Sequence, residues 1–227
     1  MLTLSTIRAT LKSVRSRSRD TRRGRKGYHH GRLRQALLDA SLEIVAEGGP
    51  SALSLRKAAS RAGVSHAAPK RHFATVGDLY CAIAEDGYRK LRAHLLERVA
   101  QNAPVTPVQA LAILGVAYVE FATSHPGHFR AMFHPGVTDR AASHPLEQAV
   151  GEAFDVLVEA MERCRQAGEV RPAPPRELAL GAWALVHGLA VLAVDHQLVN
   201  RGFSSDDPVA LAREATQQLY LGLRPDL

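Results

Sequence analysis

Cysteine is nearly absent. Cys81 and Cys164 are the only two in 227 residues, and no C-x-x-C pair occurs. That excludes a disulfide framework and fits a reducing cytoplasm. Aromatic residues are scarce at 5%, with a single tryptophan. Glycine-rich phosphate loops, G-x-S-x-G and H-E-x-x-H are all missing, so neither a catalytic constellation nor a cofactor is expected. No stretch alternates apolar and polar residues far enough for a useful strand, and no internal repeat is visible. The N-terminus lacks the continuous apolar core of a signal peptide, although its Arg- and Ser-rich start imitates a transit peptide. The expectation is an all-α, cytoplasmic, non-enzymatic protein.

What is present is charge of one sign in one place. Lys and Arg number 29 against 22 Asp and Glu, a net charge of +7. Residues 1–26 hold nine of the cations (Arg8 and Arg25 among them) against Asp20 alone. The rest of the chain is therefore close to neutral. A basic arm on a neutral body points to a polyanion, with nucleic acid favoured over a membrane surface. Residues 1–27 are expected to be an unstructured arm.

The stretch from Leu53 to Phe73, LSLRKAASRAGVSHAAPKRHF, reads as two short helices around a tight turn. Leu55, Ala58, Ala59 and Ala62 repeat at helical spacing. Ser54 is the expected N-cap, and Gly63 supplies the positive φ that ends the helix. Ser65 is the next expected cap, with a second helix from His66 to about Phe73. Small Ala67 and Ala68 allow close approach to base edges, and Lys70 and Arg71 follow where phosphates would lie. The pattern matches a DNA-binding helix-turn-helix. A plain helical hairpin with a solvated basic face would share it.

The remaining chain reads as helix throughout. His30 to Ala46 carries the stripe Leu33, Leu37, Ala40, Ile44 and Val45, with Arg32 and Arg34 near its start. Thr75 caps a long helix to about Ala100. Further helices are expected over 108–124, 128–133, 146–167 and 176–199, and from Pro208 to Gly222, with a loop over 134–145. In the last of these, Leu211, Ala215, Leu219 and Tyr220 should face inward. The run from Arg176 to Val199 is apolar on nearly every side. It falls short of a membrane span of about 20 apolar residues, so burial between helices is expected, some of it between subunits. His125 and His128 stand three apart, but Pro126 and Gly127 separate them, and no metal site is expected.

Residues 28–80 resemble the N-terminal DNA-binding domain of TetR/AcrR-family transcriptional regulators. The resemblance lies in the apolar helix ending in Glu47-Gly48-Gly49, then LSLRKAASRAGVS, then Arg71-His72-Phe73 and Leu79. WALVHGLAVL at 183–192 is similar to the Trp-x-x-x-His-Gly feature of one C-terminal subgroup, and HPGHFRAMF at 125–133 has counterparts there. The resemblance implies a homodimer pairing through its last two helices, with domains at 28–75 and 76–227. It implies DNA contacts from Arg56, Ser65, His66, Ala67, Ala68 and Lys70, and His72 with Phe73 as a packing pair after them; Arg32 and Arg71 join the DNA candidates as cations placed for phosphate, and His72 is counted with them. The family commonly has Tyr at the position of Lys70 and Lys at that of Val76.

The combined expectation is a repressor released from palindromic double-stranded DNA by a small-molecule effector in the C-terminal domain. Phe121, Met132, Phe133, Trp183 and His187 are the candidate ligand residues, suggesting an apolar or aromatic effector. The alternative is a helical small-molecule or metal-binding module without sequence-specific DNA binding.

Overall fold

The computed structural model describes residues 21–138, 144–200 and 207–225. No strand occurs among them. The helices are α1 (Thr21–Gly48), α2 (Leu55–Arg61), α3 (Val76–Asn102), α4 (Pro107–Ser124) and α5 (Pro126–Met132), then α6 (Pro135–Thr138), α7 (His144–Gln166), α8 (Pro175–Val194), α9 (Gln197–Asn200) and α10 (Pro208–Leu223).

Helix α1 begins nine residues before the expected His30, inside the segment expected to be an unstructured arm. Apolar periodicity cannot find this extension, because residues 21–27 carry no apolar stripe. Arg and Lys are nonetheless good helix formers. The rest of the expected arm, residues 1–20, lies outside the described residues. Further along α1, Leu37, Leu38, Ala40, Ile44 and Val45 are buried.

Helix α2 follows its punctuation. The Lys57 N–H donates to Ser54 Oγ at 3.2 Å. At the other end Gly63 has φ +68°. The Val64 N–H reaches the Ala59 carbonyl at 2.9 Å, and the Gly63 N–H reaches Ser60 at 3.2 Å. This paired closure ends a helix on a left-handed residue. The second element departs from expectation. Instead of a helix over 66–73, residues 66 and 67 form a turn and Pro69–Arg71 a single 3₁₀ turn. Pro69 is buried and has no N–H to give the Ser65 carbonyl, which takes the Ala68 N–H at 2.9 Å instead. Closure at Ser65 is recorded through its backbone carbonyl, where a side-chain cap was expected.

Thr75 caps α3 in a reciprocal box with Asp78, and Thr106 caps α4 in the same way with Gln109. Helix α4 is the centre of the larger helical bundle, packed against α3, α7, α8 and α10. Gly115 lets α10 close in, since a Cβ there would stand 2.5 Å from Thr216 Cγ2. The buried ridge of α10 is Ala212, Thr216 and Leu223. The expected inward set, Leu211, Ala215, Leu219 and Tyr220, is only half-buried. Part of the expected 134–145 loop is helical, because His134 Nδ1 accepts the Gly136 N–H at 3.0 Å and starts α6.

Helices α4 and α8 are each long and apolar enough to cross a membrane by length and composition. Both pack into the bundle. Helix α8, however, is not buried all round. Leu178, Ala182, Val186 and Ala190 face inward, while Leu180, Leu185, Val191 and Leu192 are exposed. Gly181 and Gly188 lie among the exposed residues, with nothing within 4 Å of a Cβ built on either.

Candidate DNA-binding face and ligand cavity

Arg56, Ser65, His66, Ala67, Lys70 and Arg71 are all exposed, on α2 and on the turn that follows it. Ala68 and His72 are half-buried, and His72 packs beside Phe73 at 6.4 Å between rings. Arg32 is exposed on α1. Arg34 is exposed as well, and its guanidinium stands 5.7 Å from the centre of the buried Phe73 ring. Val76 packs against the core at the start of α3.

Arg61 belongs to the frame of this domain. It pairs with Glu47 through two hydrogen bonds of 3.0 and 2.8 Å, and with Glu43 at 3.2 Å. The Arg61 hydrogen bond holds the Glu47 carboxyl below its usual range. The three side chains fasten α2 to α1 and spend their charge on one another.

The bundle holds a cavity of about 410 Å³ between α3, α4, α7, α8 and α10. Phe133 and Trp183 line it, as do Tyr88, Tyr118, Phe154 and Arg176. Three other candidates stand elsewhere. Phe121 and Met132 are fully buried packing residues and do not reach the lining. His187 stands behind it, with its ring centre 5.3 Å from that of Trp183 and 4.4 Å from that of Phe133.

Most polar groups of the inner wall satisfy one another. Trp183 Nε1–H donates to Tyr118 Oη at 3.3 Å. The Tyr118 hydroxyl is 2.9 Å from His187 Nδ1. With the indole already donating to Oη, the phenol proton goes to the imidazole. Burial lowers the His187 pKa, which keeps that ring neutral and able to accept. Burial also pushes the Tyr118 phenol up, and that of Tyr88 to about 12. The Thr216 hydroxyl is bound to the Arg213 carbonyl at 2.9 Å.

Helix α5, which leads into the cavity-lining Phe133, joins the bundle to α1. A Cβ on Gly127 would stand 2.6 Å from the Leu42 carbonyl oxygen, so α5 lies directly on α1. Arg130 donates to the carbonyls of Ala46 at 2.9 Å and Val194 at 2.8 Å, the last turns of α1 and α8. It also pairs with Asp195 at 3.3 Å. Cations are favoured at such helix ends. His128 Nε2 lies 2.9 Å from Asp86 Oδ2 on α3. No group of three His, Cys, Asp or Glu side chains is placed to hold a metal ion among the described residues.

A short helix and turn that present exposed Arg56, His66, Lys70 and Arg71, joined to a cavity-bearing helical bundle, are the architecture of a DNA-binding regulator. Residues 111–219 match the family profile described as tetracyclin repressor-like, C-terminal domain. A protein of unknown function from Rhodococcus sp. RHA1 is similar over 86% of this chain and 97% of its own, with 33% identity and a TM-score of 0.71. A bacterial regulatory protein of the tetR family from Rhodococcus RHA1 shares the fold at 18% identity, over 85% of this chain and 97% of its own, with a TM-score of 0.67. So does AibR, solved with isovaleryl coenzyme A and operator DNA, at 18% identity over 83% and 98%, with a TM-score of 0.62. No match is found among curated proteins. The chain belongs to the TetR family of DNA-binding transcriptional regulators, a family that is regulatory and not enzymatic.

Proposed function

We propose that the protein is a homodimeric, cytoplasmic repressor released from a palindromic operator by an apolar small molecule. The observation that carries this reading is the shared use of α5. Phe133, immediately after α5, lines the cavity, while Arg130 within α5 holds the last turn of α1. Whatever fills the cavity therefore acts on the helix that supports the DNA-binding domain. Release requires that the effector bind the free and DNA-bound arrangements unequally.

In this reading residues 28–75 form the DNA-binding domain and residues 76–227 the sensing and dimerisation domain. Arg56 and His66 address base edges, Ser65, Ala67 and Ala68 allow close approach, and Lys70, Arg71, Arg32 and His72 lie along the backbone. The exposed apolar stripe of α8, with α10 beside it, pairs across a two-fold axis. That axis sets two recognition turns in successive major grooves, roughly 34–36 Å apart. Phe133 and Trp183 touch the effector, and His187 acts through Tyr118. The Trp183–His187–Gly188 spacing supports placement in the Trp-His-Gly subgroup.

The test is a comparison of Arg56→Ala with Lys70→Ala on a selected operator. Loss of about 1–3 kcal/mol with relaxed base choice is expected for Arg56→Ala, and a salt slope shallower by about one for Lys70→Ala. Equal loss on every DNA sequence for Arg56→Ala contradicts its base-reading role.

A further inference from the structure

We infer that the effector is an apolar monocarboxylate, its tail in the cavity and its carboxylate on Arg176. This rests on the reading of the cavity as the effector site. Trp183, Tyr118 and His187 use their polar groups on one another, and Thr216 uses its hydroxyl on a backbone carbonyl. A polar ligand end placed against these four residues would be stripped of water without a partner, or would break one of these bonds, and both cost free energy. The inner cavity therefore selects an apolar body. At about 30 Å³ per carbon-sized group, 410 Å³ holds roughly ten to fifteen of them.

The outer end is different. Arg176 is the one charged side chain in the lining among the described residues. Its guanidinium stands 5.2 Å from the centre of the Phe154 ring, and Phe154 meets Trp183 edge-on at 6.1 Å. Arg176, Phe154 and Trp183 thus form a continuous wall from solvent to the interior. Asp155 holds Arg176 only loosely, at 3.7 Å with both side chains exposed. A carboxylate can replace that contact with a paired, charge-assisted one, which suits the planar guanidinium fork. The amphipathic ligand this geometry accepts has one anionic end, and a cationic end would meet repulsion there.

The test uses the full-length dimer and three ten-carbon probes: decanoate, 1-decanol and decylamine. Trp183 is the only tryptophan and lines the cavity, so its fluorescence reports entry, and calorimetry gives affinities. Decanoate is expected to bind roughly tenfold tighter than 1-decanol, with decylamine weakest. Arg176→Ala should erase the preference, so that decanoate and 1-decanol bind that variant equally, while Arg176→Lys should keep part of it. Equal binding of decanoate and 1-decanol to the wild type overturns the inference and leaves the cavity reading intact. So does a preference that survives Arg176→Ala. Absence of any Trp183 response to all three probes overturns the cavity reading itself, and the inference with it.

Discussion

Arg130 Nη1 donates to the Ala46 carbonyl at 2.9 Å, across 84 positions of sequence. The same guanidinium closes the end of α8 through Val194 and Asp195. One mostly buried side chain thus ties together α1, the helix that carries the exposed apolar stripe, and the helix that precedes Phe133.

Replacing Arg130 by Met keeps the aliphatic stem and removes these bonds. Stability should fall by about 1–3 kcal/mol, because the carbonyls lose a charged donor. The effect on coupling should be larger than the effect on either affinity. Operator binding and ligand binding measured separately should stay near wild type, while ligand-induced release weakens. Unchanged release would remove Arg130 from the coupling.

Gly127→Ala places a methyl 2.6 Å from the Leu42 carbonyl oxygen, which is backbone and cannot swing away. Helices α1 and α5 must separate, and overpacking of this kind costs about 1–3 kcal/mol. Gly151→Ala on α7 meets nothing within 4 Å and should be neutral or slightly stabilising. Urea denaturation of both variants distinguishes close helix contact from a general intolerance of alanine.

Asp86 responds to pH through its partners. The His128 hydrogen bond, with help from Lys90, brings its carboxyl down from 3.8 to about 2. A depressed folded pKa means the unfolded chain binds the proton first. The stability Asp86 contributes is thus fully present above about pH 4 and lost between there and about pH 2. Asp86→Asn should flatten that acid limb in a series of thermal melts. A limb of unchanged steepness would assign it to other carboxylates.

The exposed stripe of α8 gives a separate test of assembly. Leu185→Glu sets a charge among Leu180, Leu192 and the two open glycines, where pairing of two copies would bury it without a partner. Sedimentation should show a monomer with helicity retained. A dimer that survives would place the interface elsewhere.

How far the chain can be read without coordinates differs from element to element. Local punctuation is legible: Ser54, Gly63, Thr75 and Pro208 mark helix boundaries because caps and turns depend on neighbours in sequence. The recognition segment is only half legible. Its small and basic residues suit a helix, yet Pro69 withholds the one N–H a regular helix needs there. The cavity is the least legible part. Trp183 and Phe133 stand out as large aromatics, but Tyr88, Tyr118, Phe154 and Arg176 come from four helices, and only packing brings them together. Phe121 and Met132 have the same apolar character and fall in the solid core, because residue type does not encode distance from a void. The exposed side of α8 is likewise invisible to composition, since an apolar helix reads the same whether its second face meets its own chain or another copy.

Selection from random duplex DNA by the purified protein, with a salt titration of the sites recovered, decides whether α2 and the turn after it read sequence. A palindromic motif with half-sites about one helical turn apart is expected, bound tightly at physiological salt, and Arg56→Ala should blur specific positions of it. Binding without a motif, fading steeply as salt rises, would contradict that expectation and leave non-specific attraction of the basic residues to phosphate as the whole DNA interaction.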